Sequence, residues 1–505
     1  LNYSPGDPDG VLGKRTISAI KAFQVESNLE MTGIANDDLL VSLQLAIKKI
    51  SSKTDTAPEP KYIGSGTSTF SRAPGVFPDG AAPKVLRKQK GCHVWDVDGN
   101  EFIDMVMGCG PVTLGHGNKK IEKAIIKQLK KGVLFSMINE LEIELAQSLV
   151  KDIKSVEMVK FSKNASDVCA ASVRLARYIT GRDIVLCYGY HGFHDWYVGT
   201  TDRSSGIPKE IKNLTKVFDY GDNEGLKKMF KKYKDRVAAV IMEPVIGQRG
   251  SYTSIKNSSS GVTSRKPVKN CDQVKTLKFV KKIAKENGSL FILDECISGF
   301  RFGVGGAQDF FGVYPDLSIF GKGTTNGLAL GILGGKKKYM KHFDKVFLSS
   351  TYAPEALTLA AALESLKIYK ENNVIDNLWN KGEYIDKNFS NIIKKYELQK
   401  YVSLAGYPVR LMVNTHLEDG KQNNVLATLY QQEMFKNGIL CFSGVLMLSM
   451  SHSKKDLDIL INAFEKTCVV IKKAALENNN FLKFLNCKPM SPVFKGLRER
   501  NAVSN

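Results

Sequence analysis

The 505-residue chain contains no run of about eighteen consecutive apolar residues, so we predict no transmembrane helix. Its first residues lack the basic stretch followed by an apolar one that marks a secretion signal. It has no Cys-x-x-Cys or His-x-x-x-His pair, which argues against a bound metal. The nine cysteines are odd in number and irregularly spaced, unlike a disulfide framework. These features predict a protein of the reducing cytoplasm, without a membrane partner or a metal.

Acidic residues are fewer than basic ones: 51 Asp and Glu against 72 Lys and Arg, which gives a net charge of +21. Such an excess can indicate nucleic-acid binding. Here the lysines are spread along amphipathic segments such as 121–131 and 226–234 and do not alternate with aromatic residues. We therefore interpret them as solvent-exposed helix faces and predict no nucleic-acid partner. The basic surface is expected to attract an anionic substrate.

The first part of the chain differs in pattern from the rest. Residues 1–50 carry an Asp-Pro-Asp-Gly turn, apolar residues at helical spacing over 16–24, and a second predicted helix over 36–50. The pattern resembles the three-helix peptidoglycan-binding-like domain. A linker rich in Ser, Thr, Pro and Lys follows at 51–66. Without a secretion signal, docking to an unidentified partner is favoured over cell-wall binding.

Beyond the linker, short apolar runs alternate with helical patterns. This alternation predicts an α/β fold with a mainly parallel sheet, whose ligand site lies at the carboxyl ends of the strands. Residues 248–270, rich in Ser and Lys, are expected to form a flexible surface insertion. The predicted divisions are an N-terminal segment at 67–125, a large domain at 126–370, a small α/β domain at 371–480 and a tail at 481–505.

Two side chains at predicted strand ends indicate a specific chemistry. Lys322 follows an apolar run and lies between two glycines, where backbone can approach closely. A lysine shielded from water loses its proton easily and can condense with an aldehyde. A predicted buried strand over 289–293 delivers Asp294 at its carboxyl end. Either feature alone is common in α/β proteins; together they indicate a Schiff-base lysine and an acid partner for a pyridine ring.

A phosphate site is predicted where Asn164, Ala165 and Ser166 open a helix directly after a strand. Backbone N–H groups are exposed there beside the positive end of the helix dipole. A capped helix with nothing bound has the same pattern, so that alternative stays open. Further on, Tyr190 lies in a glycine-rich aromatic loop, where its ring can lie flat on a planar ligand.

Motifs across residues 67–475 occur in the order of one known family. They are Phe70-Ser71-Arg72, Trp95-Asp96-Val97-Asp98-Gly99, Arg174-Leu175-Ala176-Arg177, Tyr190-His191-Gly192, Glu243-Pro244, Asp294-Glu295, Gly299-Phe300-Arg301, Gly321-Lys322 and Ser451-His452. With them the chain resembles the class III pyridoxal-phosphate aminotransferases of fold type I, in particular those like glutamate-1-semialdehyde aminomutase. The resemblance implies a pyridoxal 5'-phosphate (PLP) cofactor, a large domain with a mainly parallel sheet, and a homodimer with shared active sites.

The resemblance also implies roles for individual residues. Lys322 would form the Schiff base and move the proton, and Asp294 would keep the pyridine nitrogen protonated. Thr351 would reach the phosphate from the neighbouring subunit. The residues implied to contact the cofactor are Asn164, Ala165, Ser166, Tyr190, His191, Glu243, Asp294, Lys322 and Thr351.

Two departures from the aminomutase pattern bear on the substrate. Cys109 stands where those enzymes have a tryptophan, and a pocket carboxylate is replaced near Gly444. We therefore predict an aminotransferase that takes a small-molecule amino donor and a carbonyl acceptor, with Ser71 and Arg72, or Arg410, binding a substrate carboxylate. A sugar or surface-polysaccharide precursor is equally compatible. Intramolecular amine transfer is the first alternative, and a non-catalytic scaffold acting through the N-terminal module is the second.

Overall fold

The computed structural model describes residues 62–256 and 263–494, together with six positions between 17 and 32. Five of these six are helical and fall in the segment 16–24 predicted as the first helix. The predicted helix at 36–50, the linker up to residue 61 and the tail after residue 494 lie outside the described residues.

The described residues contain sixteen strands and thirteen α-helices. The strands are β1 (Leu86–Lys90), β2 (His93–Asp96), β3 (Glu101–Asp104), β4 (Met158–Ser162), β5 (Ile184–Tyr188), β6 (Thr215–Val217), β7 (Val237–Met242), β8 (Tyr252–Lys256), β9 (Thr263–Pro267), β10 (Leu290–Asp294), β11 (Leu317–Phe320), β12 (Gly331–Gly335), β13 (Val402–Tyr407), β14 (Arg410–Thr415), β15 (Ile439–Leu440) and β16 (Val445–Leu446). The helices are α1 (Lys119–Leu129), α2 (Glu140–Asp152), α3 (Ala165–Thr180), α4 (Asp195–Val198), α5 (Lys209–Asn213), α6 (Asn223–Lys232), α7 (Asp272–Glu286), α8 (Ala307–Phe311), α9 (Lys337–Met340), α10 (Ala356–Glu371), α11 (Val374–Lys395), α12 (Asn424–Lys436) and α13 (Lys454–Leu476).

A seven-stranded sheet with the order β4-β12-β11-β10-β7-β5-β6 forms the centre of the large domain. Only β12 runs antiparallel to its neighbours. The strands β7, β10 and β11 are buried along their whole length because helices cover both faces of the sheet. The predicted α/β fold with a mainly parallel sheet is confirmed. None of the described helices is both long and apolar enough to span a bilayer.

The two faces of this sheet carry separate apolar cores. Phe291 and Leu293 of β10 point into one core, and Leu290 and Ile292 of the same strand point into the other. This alternation follows from the two-residue period of a strand. Since β10 pairs with β7 in register up to Leu293, Asp294 and Glu243 emerge side by side from the same edge of the sheet.

A four-stranded sheet joins distant parts of the chain. The predicted hairpin around residues 94–104 is present as β2 and β3, and β15 adds to β3 as a parallel strand. Residues of the N-terminal segment and of the C-terminal region therefore share one sheet of four strands. The strands β13, β14 and β16 form a second, antiparallel sheet. The division at residue 371 stays a prediction.

The expectation of a flexible insertion at 248–270 is wrong for its described residues. β8 and β9 form an antiparallel hairpin there. The buried guanidinium of Arg265 anchors it to α11 by hydrogen bonds to Asp376 (3.0 Å) and Glu383 (2.9 Å). A buried arginine with two carboxylate partners fixes the hairpin on the domain surface.

Candidate active site

Lys322 begins a short 3-10 turn, Lys322–Thr324, directly after β11. Its backbone φ is +39°, in the left-handed region, which costs a non-glycine residue about 1–2 kcal/mol. In the described part of the chain, its ammonium group has no hydrogen-bond or ion-pair partner. A strained backbone that presents an unpaired amine is typical of a functional position.

Asp294 lies at the carboxyl end of β10 and is 3% exposed. Its Oδ1 atom accepts a hydrogen bond from the backbone N–H of Cys296 (3.0 Å), and its Oδ2 atom lies 2.8 Å from Nδ1 of His191. The Nε2 atom of His191 lies 3.0 Å from the carbonyl oxygen of Tyr188. The imidazole of His191 therefore bridges the carboxylate of Asp294 and the backbone at the end of β5.

The third neighbour of Asp294 is a thiol. Cys169, on α3, is fully buried with its Sγ atom 3.5 Å from Oδ2 of Asp294. Burial raises the pKa of the Cys169 thiol well above its ordinary value, so the thiol stays protonated and donates to the carboxylate. Cys169, His191 and Asp294 also lie close enough together to hold a metal ion. A metal would need the thiolate form of Cys169. The protonated thiol therefore favours a hydrogen-bond network over a metal site.

The lysine turn packs against the strand end that carries Asp294. A Cβ atom placed on Gly321 would lie 3.4 Å from Sγ of Cys296 and 3.6 Å from Cβ of Ala165. Burial raises the pKa of Cys296 to about 12, and the positive charge of Lys322 opposes that shift. The fold thus brings together the lysine, the acid and the start of α3, three features predicted separately from the sequence.

The N-terminus of α3 is capped from within. The side chain of Asn164 accepts the N–H of Asp167 (3.0 Å). The carboxylate of Asp167 is held by Ser162 (2.6 Å), Asn164 (2.9 Å) and His194 (3.2 Å). The N–H groups of Ala165 and Ser166 have no acceptor among the described residues. Two free N–H groups at the start of a 16-residue helix fit a phosphate group.

Glycines keep the space around this helix start narrow. A Cβ atom on Gly192 would lie 2.1 Å from Oγ of Ser166, and one on Gly331 would lie 2.1 Å from the carbonyl oxygen of Asn164. Only glycine allows such close approach of neighbouring loops. Together with the buried Asp294 at the opposite end, this cradle matches a ligand that carries both a phosphate and a pyridine ring, so the residues present fit PLP.

Tyr190 and Glu243 form the side of the site next to Asp294. The backbone N–H of Tyr190 donates to Oε1 of Glu243 (2.9 Å), and its ring meets that of Tyr197 edge-on at 5.6 Å. Tyr190 is 44% exposed, so part of it remains open to a ligand. Burial raises the pKa of Glu243, and the nearby Arg410 opposes the shift.

Arg410 lies behind this side of the site. It is buried, its Nη1 atom donates to the carbonyl oxygen of Val245 (2.8 Å), and the same atom lies 3.6 Å from Oε2 of Glu243. The structure therefore places Arg410 against Glu243, with part of its charge already engaged.

Ser71 and Arg72 lie elsewhere, in a 3-10 turn (Phe70–Arg72) that contacts the loop containing Cys109. The Oγ atom of Ser71 is 3.6 Å from Sγ of Cys109, and Arg72 donates to the carbonyl oxygen of Gly108 (3.4 Å). This loop packs against the lysine turn, since a Cβ atom on Gly323 would lie 3.2 Å from a neighbouring threonine hydroxyl at 113. Ser71 and Arg72 thus contact a loop that also packs against the lysine turn, whereas Arg410 lies on the side of Glu243.

Thr351 is the predicted cofactor residue that this chain does not bring to the site. It is exposed in a turn before α10, and no hydrogen bond links it to Ala165 or Ser166 in the described chain.

Two cysteines at the site, Cys169 and Cys296, were not predicted from the sequence. Cys296 follows Asp294 by two positions, whereas the contact of Cys169 spans 125 residues and has no local signal.

Comparison with known proteins adds independent information. A family model described as aminotransferase class-III matches residues 77–265 and 269–468, and one described as a putative peptidoglycan binding domain matches residues 1–43. A glutamate-1-semialdehyde 2,1-aminomutase of Methanosphaera stadtmanae is 31% identical, over 80% of this chain and 95% of the relative. A 3-aminobutyryl-CoA aminotransferase of Cloacimonas acidaminovorans is 30% identical, over 82% of this chain and 96% of the relative. The solved structure of the PLP internal aldimine form of the FumI protein from Sphingopyxis sp. MTA144 covers 88% of this chain and 98% of that protein, with a TM-score of 0.73 and 21% identity.

Proposed function

The chain belongs to the class-III aminotransferases, and from that premise we propose which of its residues carry the reaction. It is a PLP-dependent enzyme that transfers amino groups. We infer that Lys322 binds PLP covalently as a Schiff base and that Asp294 binds the pyridine nitrogen. The observation that supports this assignment best is the buried, hydrogen-bonded Asp294 next to a strained lysine turn.

Each residue has a distinct task. PLP, when bound, supplies an electron sink for the carbon atom that carries the amino group. Asp294 would hold the pyridine nitrogen, and His191 fixes the carboxylate of Asp294 in place (2.8 Å). Lys322 Nζ lacks a partner of its own in the described chain, so it is available to accept a proton and return it. Tyr190 offers its open ring face for stacking.

The phosphate is proposed to lie at the start of α3, on the N–H groups of Ala165 and Ser166, with Asn164 shaping the turn. Neither N–H group has an acceptor among the described residues, and the helix dipole favours an anion there. A phosphate dianion would gain two charge-assisted hydrogen bonds from this arrangement.

We propose a homodimer in which Thr351 of one subunit completes the phosphate site of the other. An exposed apolar surface surrounds Thr351: Phe347 and Tyr352 flank it at 76% and 63% exposure, and Met137 lies on a neighbouring segment at 82%. A backbone hydrogen bond from Ala356 to Val133 (2.8 Å) holds the two segments together. Burying such a surface between two copies removes apolar area from water.

For the substrate we propose a compound with a carboxylate, bound by Ser71 and Arg72. Arg72 is exposed and makes one long hydrogen bond, to Gly108 (3.4 Å), so most of its donors are available. Arg410 is the second choice because it already donates to Val245 and lies near Glu243. An arginine with free donors can bind a carboxylate through two parallel hydrogen bonds.

Reaction with a separate donor and acceptor is our preferred assignment over intramolecular amine transfer. The two relatives named an aminomutase and an aminotransferase are 31% and 30% identical, so identity does not discriminate between these reactions. A donor such as glutamate supplied alone is expected to convert the cofactor once and release one equivalent of the keto acid. Conversion of a single substrate into its isomer without an acceptor would favour the aminomutase.

The experiment for the lysine is borohydride reduction of the holoenzyme followed by peptide mapping. We expect the cofactor mass on Lys322 and no visible absorbance band in a Lys322→Ala variant reconstituted with PLP. A label on a different lysine, or turnover by Lys322→Ala, would contradict the assignment. Lys336 serves as a matched control, since it is part of an ion pair with Asp316 (2.7 Å) and Lys336→Ala is expected to keep the band.

We further propose that residues 1–50 dock the enzyme to a partner and take no part in the reaction. The match to the putative peptidoglycan binding domain model over residues 1–43 supports a separate module. A cytoplasmic location is also proposed, supported by nine cysteines that are all unpaired.

A further inference from the structure

The chain continues beyond the part that matches the aminotransferase family model, which ends at residue 468. After α13, residues 486–494 cross the small domain as an extended segment. Its anchor is Met490, which is buried, donates its N–H to the hydroxyl of Thr428 (3.0 Å) and accepts a hydrogen bond from Asn424 at its carbonyl oxygen. Both partners lie on α12, so the segment is fixed on that helix.

From Met490 the segment turns toward the active site. The N–H of Ser491 donates to the carbonyl oxygen of Gly75 (2.7 Å). The carbonyl oxygen of Val493 accepts from Nε of Arg203 (2.5 Å). The guanidinium group of Arg203 also lies over the ring of Phe70, 4.2 Å from its centroid. Arg203 therefore joins the C-terminal segment to the turn that carries Ser71 and Arg72.

The segment places Phe494 against Tyr190. The two ring centroids are 6.0 Å apart with an interplanar angle of 45°, within the range of an aromatic contact. Tyr190 lies in a loop between Gly189 and Gly192, both with positive φ. Because glycine restricts the backbone little, contacts with other elements have to fix the conformation of this loop. Tyr197 contacts the Tyr190 ring edge-on, and Phe494 supplies a second aromatic contact.

We propose that Phe494 is a positioning residue of the active site, which holds the ring of Tyr190 in place for the cofactor. The C-terminal segment is then part of the active site, held there by Arg203 and Met490. This inference rests on the proposed stacking of Tyr190 on PLP. It adds a residue from outside the family-matched region to that site.

The experiment measures PLP affinity and the visible absorbance band of the holoenzyme in Phe494→Ala and Phe494→Tyr. We expect Phe494→Ala to raise the dissociation constant of PLP about three- to tenfold and to shift the band, because the loss of one aromatic contact frees Tyr190. Phe494→Tyr keeps the ring and is expected to restore both values. Leu482→Ala, an exposed position on the same C-terminal stretch, is the matched control and is expected to match the wild type.

Two further measurements separate positioning from a general effect on folding. In a Tyr190→Leu background, Phe494→Ala is expected to change PLP affinity no further, because its effect passes through Tyr190. In the full chain, Phe494→Ala is expected to lose PLP affinity at an unchanged melting temperature. Wild-type affinity and band position in Phe494→Ala would overturn the inference, as would an undiminished effect in the Tyr190→Leu background.

The wild-type protein tests the proposed function separately. A wild-type visible band that responds to amino donors supports the proposed function whatever Phe494→Ala does. Absence of that band in the wild type would refute the proposed function and this inference with it.

Discussion

Replacement of Gly192 by alanine tests the phosphate site at the start of α3. The new Cβ atom would lie 2.1 Å from Oγ and 2.7 Å from Cα of Ser166, far inside van der Waals contact. The loop or the helix start therefore has to move, and the N–H of Ser166 moves with it. A lost hydrogen bond to a charged group costs about 1.5–3 kcal/mol, so the dissociation constant of PLP is expected to rise roughly 10- to 150-fold. Titration of the apoenzyme with PLP, followed by absorbance, measures it.

Gly181→Ala is the matched control for this prediction. Gly181 ends the same helix with a φ of +65°, and a Cβ atom there would have no neighbour within 4 Å. Both variants place an alanine at a positive φ, which is expected to lower the free energy of unfolding by about 1–2 kcal/mol in each. Only Gly192→Ala is expected to lose PLP affinity. Equal PLP affinities in the two variants would refute the location of the phosphate site.

Two further predictions concern stability. His452 is buried, accepts the N–H of Ser449 (3.1 Å) and donates to the carbonyl oxygen of Asp104 (3.2 Å), and burial lowers its pKa from 6.5 to about 4. Between these pH values the unfolded chain binds a proton that the folded chain does not, so the free energy of unfolding should fall by up to about 3 kcal/mol from pH 6.5 to pH 4. Urea unfolding of the wild type and of His452→Gln at several pH values measures this fall. An equal dependence on pH in both proteins would contradict the prediction. The rings of Phe389 and Phe464 stack at 3.7 Å, both fully buried. Phe389→Ala is expected to cost about 3–5 kcal/mol in chemical unfolding, and a loss below about 1 kcal/mol would contradict the packing argument.

The sequence predicted those parts of the site that depend on local pattern. A strand that ends in a carboxylate, a lysine between glycines and a helix start after a strand each lie within a few residues, and parallel strands bring their carboxyl ends to one edge of the sheet. Asp294 and Lys322 therefore lie where the pattern placed them. The hairpin around residues 94–104 was equally predictable, because its Asp-Gly turn and its alternation are local.

Contacts between distant residues were not predictable in this way. The Ser- and Lys-rich composition of residues 248–270 indicated a flexible insertion, because nothing near Arg265 shows that its carboxylate partners lie more than a hundred positions further on. The contact of Phe494 with Tyr190 likewise depends on the path of the chain after α13. A single sequence does not encode such long-range pairings in any local period.

The pairing of β15 with β3 has a consequence for synthesis of the chain. Residues Ile439 and Leu440 complete a sheet whose other strands end at Asp104, about 335 residues earlier. At a ribosomal rate of about 5–20 residues per second, the edge of β3 waits roughly 20–70 s for its partner strand. During that time it presents unpaired backbone groups that can template aggregation. The nascent chain is therefore expected to depend on chaperones until Ile439 and Leu440 have been made.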